Sequence, residues 1–228
     1  MGYKVKPVIG EWYHCYNRGV DKRTTFQNKN DYEQFMLLMS VANSTKSVFL
    51  SDVSRKKRDS LFTDPMPGMG LPLVDIAAYC LMPNHYHFLI QETAENGISK
   101  FMQKLITAYS MYFNKRYERS GPLFSGVFKA RHIDSDRYLK HAFSYIHLNS
   151  AACIDPKWTE RPQSQLVKIK EKIITYPYSS LLDYETKIER PQKKILSPSA
   201  QDFFKGREDF KDMFRDAVDY YHTSESLL

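Results

Sequence analysis

Three features of the sequence predict an α+β fold. Short apolar and aromatic runs are bounded by Gly, Pro or Asn. Longer stretches between them repeat their apolar residues at helical spacing. The two kinds follow in the order strand, helix, strand, strand, helix, strand, with a further helix behind. Residues 11–18 (EWYHCYNR) are rich in aromatic residues and stop at Gly19, as a strand would. From Asp31 to Ala42, Tyr32, Phe35, Leu38, Met39 and Ala42 recur at helical spacing. Residues 43–73 break that pattern with a basic run, Arg55-Lys56-Lys57-Arg58, and the stretch DPMPGMGLP, and they read as a long loop or insertion. A second strand, Val74 to Met82, turns through Pro83-Asn84 into a third, His85 to Glu92. A helical pattern from Ile98 to Tyr117 carries Phe101, Leu105, Ala108 and Tyr112 on one face, and Gly121-Pro122 closes it. Residues 123–133 read as a fourth strand. Asp134 or Ser135 is placed to cap the helix that follows, with Asp136 in its first turn.

This β-α-β-β-α-β order is the ferredoxin-like arrangement with an antiparallel sheet. Behind it come a helical candidate near Ser164–Ile174 and Tyr176-Pro177-Tyr178-Ser179-Ser180, read as an extended surface piece. A charged, Pro-containing linker over 187–198 and an amphipathic helix around Asp202–Tyr221 complete the chain. No internal repeat is visible. The expected division is a domain over residues 1–184 and a C-terminal linker and helical extension over 185–228.

Composition narrows the function classes. Apolar residues are 42 % and charged residues 26 % of the 228, as in ordinary globular proteins. Lys+Arg number 33 against 26 Asp+Glu, a formal charge of +7, which suits a polyanionic partner. The 16 Tyr and 14 Phe offer faces on which unpaired bases stack. The three cysteines, Cys15, Cys80 and Cys153, share no CxxC spacing, which argues against a disulfide scaffold or zinc ribbon and fits a reducing compartment. No apolar run approaches a membrane span and the N-terminus lacks a signal-peptide core, so a cytoplasmic protein without a membrane partner is expected.

The sharpest chemical feature is His85-Tyr86-His87. Residues i and i+2 of a strand project from one face, so two imidazoles stand side by side, a pair suited to divalent metals. An isolated HxH is more often two half-exposed strand histidines, and a second constellation changes that reading. On the helix after the fourth strand, Tyr145 and Asn149 lie one turn apart on one face. The Asn149 amide oxygen suits a third metal ligand and leaves positions open for a phosphate oxygen and water. His141, one turn before Tyr145, is a candidate for proton transfer or a solvated surface histidine. His14 reads equally as a partner of the site or as core, and Cys80 as a small buried side chain. Arg18, Lys129, Arg131 and the 55–58 run are candidate DNA contacts; Lys129 and Arg131 read equally as a solvated strand edge, and the run reads rather as a solubilising loop. Lys129 and Arg131 sit two apart on one strand face.

Taken together, Tyr13-His14-Cys15-Tyr16-Asn17-Arg18-Gly19, Leu81-Met82-Pro83-Asn84-His85-Tyr86-His87, the GxFKARxIDSDRYL stretch from Gly126, Tyr145-Ile146-His147-Leu148-Asn149 and the later Tyr176-Pro177-Tyr178-Ser179-Ser180 resemble, in order, the REP-associated tyrosine transposases. These are relatives of the single-tyrosine HUH transposases of small insertion sequences. The resemblance implies a metal-dependent enzyme that cleaves and rejoins single-stranded DNA, with hairpin-forming DNA as its partner. It implies Mg²⁺ or Mn²⁺ on His85, His87 and Asn149, and Tyr145 as the nucleophile, giving a 5′-phosphotyrosine and a free 3′-hydroxyl. The family usually has proline after that asparagine, where this chain has Ser150. A monomer is expected rather than a homodimer. The competing readings are a non-catalytic ferredoxin-like nucleic-acid-binding module and a metal-dependent phosphodiesterase that uses water.

Overall fold

A computed structural model describes residues 6–46, 70–162, 164–165, 168–204 and 209–224. Its elements run β1 (Trp12–Arg18), α1 (Lys29–Ala42), β2 (Val74–Met82), β3 (His85–Glu92), α2 (Gly97–Arg116), β4 (Lys129–Ile133) and α3 (Asp136–Leu148), then α4 (Lys170–Ile174), α5 (Leu181–Glu185), α6 (Pro198–Phe204) and α7 (Phe210–Ser224). The sheet order is β2-β3-β1-β4 with every pairing antiparallel, so the ferredoxin-like α+β core is present.

Local chemistry explains the boundaries. Asn28 caps α1 in a reciprocal capping box with Asp31, so the helix starts three residues before Tyr32, the first apolar residue of the repeat. Ser135 caps α3 by accepting from the Tyr138 amide. The fourth strand is shorter than its apolar run because Gly126 adopts a positive φ of 65°, which ends the extended stretch leading from Phe124. Phe124 keeps only an isolated bridge to Gly19.

Strand alternation divides the apolar residues into two cores. Tyr13, Cys15, Tyr79, Leu81, Tyr86, Phe88 and Ile90 pack with α1 and α2 on one face. Ala78, Cys80, Met82, Leu89 and Ile133 pack with α3 and α7 on the other. A bulge between Ile76 and Ala78 resets the alternation of β2 so that Ile76 and Tyr79 both reach the first core. The molecule thus has three layers, helices, sheet and helices. The small side chains Ala77, Ala78 and Cys80 let α3 approach the second face closely.

Where a helix is expected near Ser164–Ile174, α4 covers only Lys170–Ile174, and the one expected around Asp202–Tyr221 is described as two, Pro198–Phe204 and Phe210–Ser224. Two further segments are packed where the sequence suggests surface or linker. Tyr176–Ser180 is not a surface piece: it covers the open edge of β2. The Tyr178 carbonyl accepts from the Leu81 amide, the Ser180 amide donates to the Tyr79 carbonyl, and Ser179 and Ser180 are fully buried. An uncovered edge would leave unpaired backbone groups, and the serine hydroxyls make this strip compatible with burial. The stretch 187–198 is charged but anchored. Ile195 and Leu196 enter the first core, and Arg190 pairs with buried Asp183 at 2.6 Å. No helix among the described residues is long and apolar enough to cross a membrane. The basic run at 55–58 lies outside the described residues.

Candidate active site

The second face of the sheet places most of the site. In the register, Tyr16 stands opposite His87 on one side and Lys129 on the other, Arg18 opposite His85, and His14 opposite Arg131. Directly paired residues share a face, so the histidine pair, Arg18, Lys129 and Arg131 all lie on the face covered by α3. The sequence-derived site residues from three strands therefore converge.

His85 and His87 present their rings at right angles, with centroids 5.0 Å apart. His87 in turn meets the Tyr145 ring edge-on at 5.7 Å. Tyr145 is only 3 % exposed, beneath Tyr220 and Tyr221 of α7. Asn149 follows one turn later, and its side-chain amide donates to the Tyr145 carbonyl at 2.8 Å, which leaves the amide oxygen available. The Ser150 hydroxyl donates to the His147 carbonyl, and the chain continues from α3 into a 3-10 turn, Asn149–Cys153. Ser150 thus helps to close the helix end.

The groups suit a divalent cation. His85 Nδ1 lies 2.6 Å from Asn84 Oδ1, and the Asn84 amide nitrogen donates to the Lys22 carbonyl, which fixes the amide orientation. His85 Nδ1 is therefore the donor, and its Nε2 carries a lone pair. His87 Nδ1 shares a hydrogen bond with His14 Nε2 at 2.8 Å, and His87 Nε2 is buried without a partner. Burial, with Arg18 nearby, lowers the His85 pKa to about 4. Burial first, then His14, His85 and Arg18, hold His87 well below the ordinary histidine value. Both rings are neutral at pH 7, the form a metal ligand needs. Arg18 Nε is also buried with no partner, beside the two imidazoles, where an anionic oxygen would pair it.

Tyr145 is held as the phenol. Burial raises its pKa above the ordinary tyrosine value, and the hydrogen bond with the Asn149 side chain works in the opposite sense. Lys129 lies over the Tyr16 ring at 5.7 Å, and Arg131 between the Tyr138 and Tyr220 rings at 5.2 and 5.3 Å. His141 faces α7, 3.6 Å from Asp216. With Asp219 these two form a group whose potential ligand atoms lie within 4.8 Å of one another. Sequence pattern alone does not single out Asn84 or Tyr220, and it leaves His14 between two roles. Asn84 sits next to the HxH in the turn, and His14 shares strand parity with Arg18, which are the two signals available for them.

A ferredoxin-like domain that buries a helix-borne tyrosine against a strand-borne histidine pair is the class these observations define. Residues 70–149 match the family described as Transposase IS200 like. That segment holds the histidine pair, the tyrosine and the asparagine. No curated protein matches the chain in sequence. Among solved structures the chain is similar to one described as the structure of the REP associates tyrosine transposase bound to a REP hairpin. The identity is 13 %, with 92 % of this chain and 98 % of that one covered, at a TM-score of 0.48.

Proposed function

We propose that this chain is a single-strand DNA endonuclease and ligase of the transposase class, acting on hairpin-forming DNA with Tyr145 as its nucleophile. The observation that carries the reading is the buried, partnerless Nε2 of His87, set beside His85 and against the Tyr145 ring. A pure binding surface has no use for an unpaired buried nitrogen, which is costly unless something completes it. His85, His87 and Asn149 would hold Mg²⁺ or Mn²⁺. When bound, the cation would supply polarisation of the scissile phosphate and offset its developing charge.

The chain's own groups account for the rest. Arg18 offers its unpaired Nε to a phosphate oxygen, and Lys129 and Arg131 extend that positive strip along β1 and β4. The Tyr145 hydroxyl oxygen attacks phosphorus, the bond from phosphorus to the 3′ oxygen breaks, and that oxygen leaves as a 3′-hydroxyl after taking a proton. The energy of the diester is kept in the phosphotyrosine, so a second 3′-hydroxyl reverses the step and joins a new strand. Because burial keeps the phenol protonated, its proton must leave as the attack proceeds. His141, on the same helix one turn away, is proposed to take part in that transfer, with Asp216 orienting its ring. His87 and Tyr145 meet within one chain, which supports action as a monomer. The domain is proposed to span residues 1–184, with 185–228 as its extension.

The near-complete burial of Tyr145 favours one competing reading, a phosphodiesterase that uses water and keeps the tyrosine for packing. The test is cleavage of end-labelled, hairpin-forming oligonucleotides from the DNA flanking the gene, with Mg²⁺ or Mn²⁺. The proposal expects a product whose 3′-hydroxyl a polymerase extends, and no product from the His85→Ala/His87→Ala variant. Cleavage that persists in Tyr145→Phe would establish the water reading instead.

A further inference from the structure

Two buried polar groups beside the site have no part in the mechanism above: the His14 imidazole and the Tyr220 hydroxyl. His14 is 4 % exposed and Tyr220 is fully buried. An apolar side chain in either place would avoid the cost of burying a polar group. Both nitrogens of His14 are nevertheless engaged. Nε2 lies 2.8 Å from His87 Nδ1, and Nδ1 lies 2.9 Å from the Tyr220 hydroxyl. A hydrogen-bonded chain of three side chains therefore runs from α7 across β1 to the inner histidine of the pair. The outer histidine has a matching support, since His85 Nδ1 is held by Asn84 Oδ1. Each imidazole is gripped at Nδ1, which turns Nε2 toward the site.

We propose that His14 is a positioning residue for His87, anchored by Tyr220, so that the C-terminal helix is a working part of the metal site. The inference rests on the metal-holding role proposed for His85 and His87. With a cation on His87 Nε2, the protons of the chain have one order: His87 Nδ1–H donates to His14 Nε2, and His14 Nδ1–H donates to the Tyr220 oxygen. Metal-ligating histidines generally donate their second nitrogen in this way, and the partner fixes ring orientation and raises ligand basicity.

The experiment titrates the full chain with Mn²⁺, followed by electron paramagnetic resonance, for wild type, His14→Phe, His14→Gln and Tyr220→Phe. His85→Ala/His87→Ala supplies the background from other clusters such as His141, Asp216 and Asp219. Loss of the partner should weaken Mn²⁺ binding about 10- to 100-fold in His14→Phe. Gln places an amide oxygen where Nε2 stood and should restore binding to within about threefold, with Tyr220→Phe between the two. Wild-type affinity in His14→Phe overturns the proposal. So does a His14→Gln variant that folds but binds no better than His14→Phe, since His14 would then only fill space. If wild type binds no more Mn²⁺ than the double alanine variant, the metal reading itself fails. Nitrogen-15 spectra of the metal-free protein then decide whether His14 grips His87. An exchange-protected imidazole proton that is present in wild type and absent in His14→Phe upholds the contact, and its absence in wild type refutes it.

Discussion

Arg190→Ala should be among the most damaging single changes away from the candidate site. Arg190 reaches the Asp183 carboxylate at 2.6 and 2.8 Å, the Ser179 carbonyl at 2.7 Å, the Pro177 carbonyl and the Tyr79 hydroxyl. The Asp183 side chain is fully buried, and that of Arg190 is 11 % exposed. Truncation leaves an uncompensated buried carboxylate, a loss of about 3–5 kcal/mol for a pair of this kind. With a urea slope of about 2 kcal/mol/M, the midpoint falls by about 1.5–2.5 M. The damage has a definite location, because Arg190 ties the 177–180 strip to the edge of β2. Native-state hydrogen exchange should therefore speed up first at the amides of Tyr79 and Leu81, which this strip protects. Replacing both partners by leucine removes the buried charge and should recover most of the loss. A midpoint within about 0.5 M of wild type for Arg190→Ala would refute a stabilising buried pair, because a surface ion pair contributes no more than about 1 kcal/mol.

Two further outcomes follow from the same physics. Burial and the neighbouring Arg131 hold the His14 pKa down to about 3, and burial does the same for His147. The unfolded chain therefore takes up protons first as pH falls below about 6.5, and each residue should cost about 1.3 kcal/mol between pH 7 and 5.5. Urea unfolding at several pH values checks this, and a flat profile over that window contradicts it. At the start of α2, a Cβ on Gly97 would stand 2.1 Å from the Leu73 carbonyl oxygen. Gly97→Ala should thus lose about 1–3 kcal/mol by forcing apart α2 and the strand entry, despite the better helix propensity of alanine. An unchanged melting temperature would count against that contact.

Much of this architecture was legible because local periodicity and tertiary structure agree. The strands carrying Tyr13, Cys15, Tyr86 and Phe88 alternate cleanly, and the Tyr145–Asn149 pair follows from helical spacing alone. What escaped depended on partners distant in sequence. Ser179 and Ser180 look like surface residues until the open edge of β2 needs a cover. Arg190 looks like linker charge until Asp183 is seen buried beneath it. Tyr220 meets His14 across 206 residues, and a period-3.6 pattern shows that α7 is amphipathic without naming what its apolar face covers. His14 was nearer to reach, since strand parity groups it with Tyr16 and Arg18, but only cross-strand register sets it against His87.

In the proposed reaction the buried phenol of Tyr145 takes the DNA phosphate. The most direct measurement incubates the protein with a labelled single-stranded hairpin and Mn²⁺, denatures it, digests it, and maps the DNA-linked peptide by mass spectrometry. The proposed reaction gives a metal-dependent adduct on the peptide that contains Tyr145, attached to the 5′ end of the cleaved strand and absent from Tyr145→Phe. An adduct on Tyr220 or another tyrosine, or efficient cleavage with no adduct at all, would contradict it.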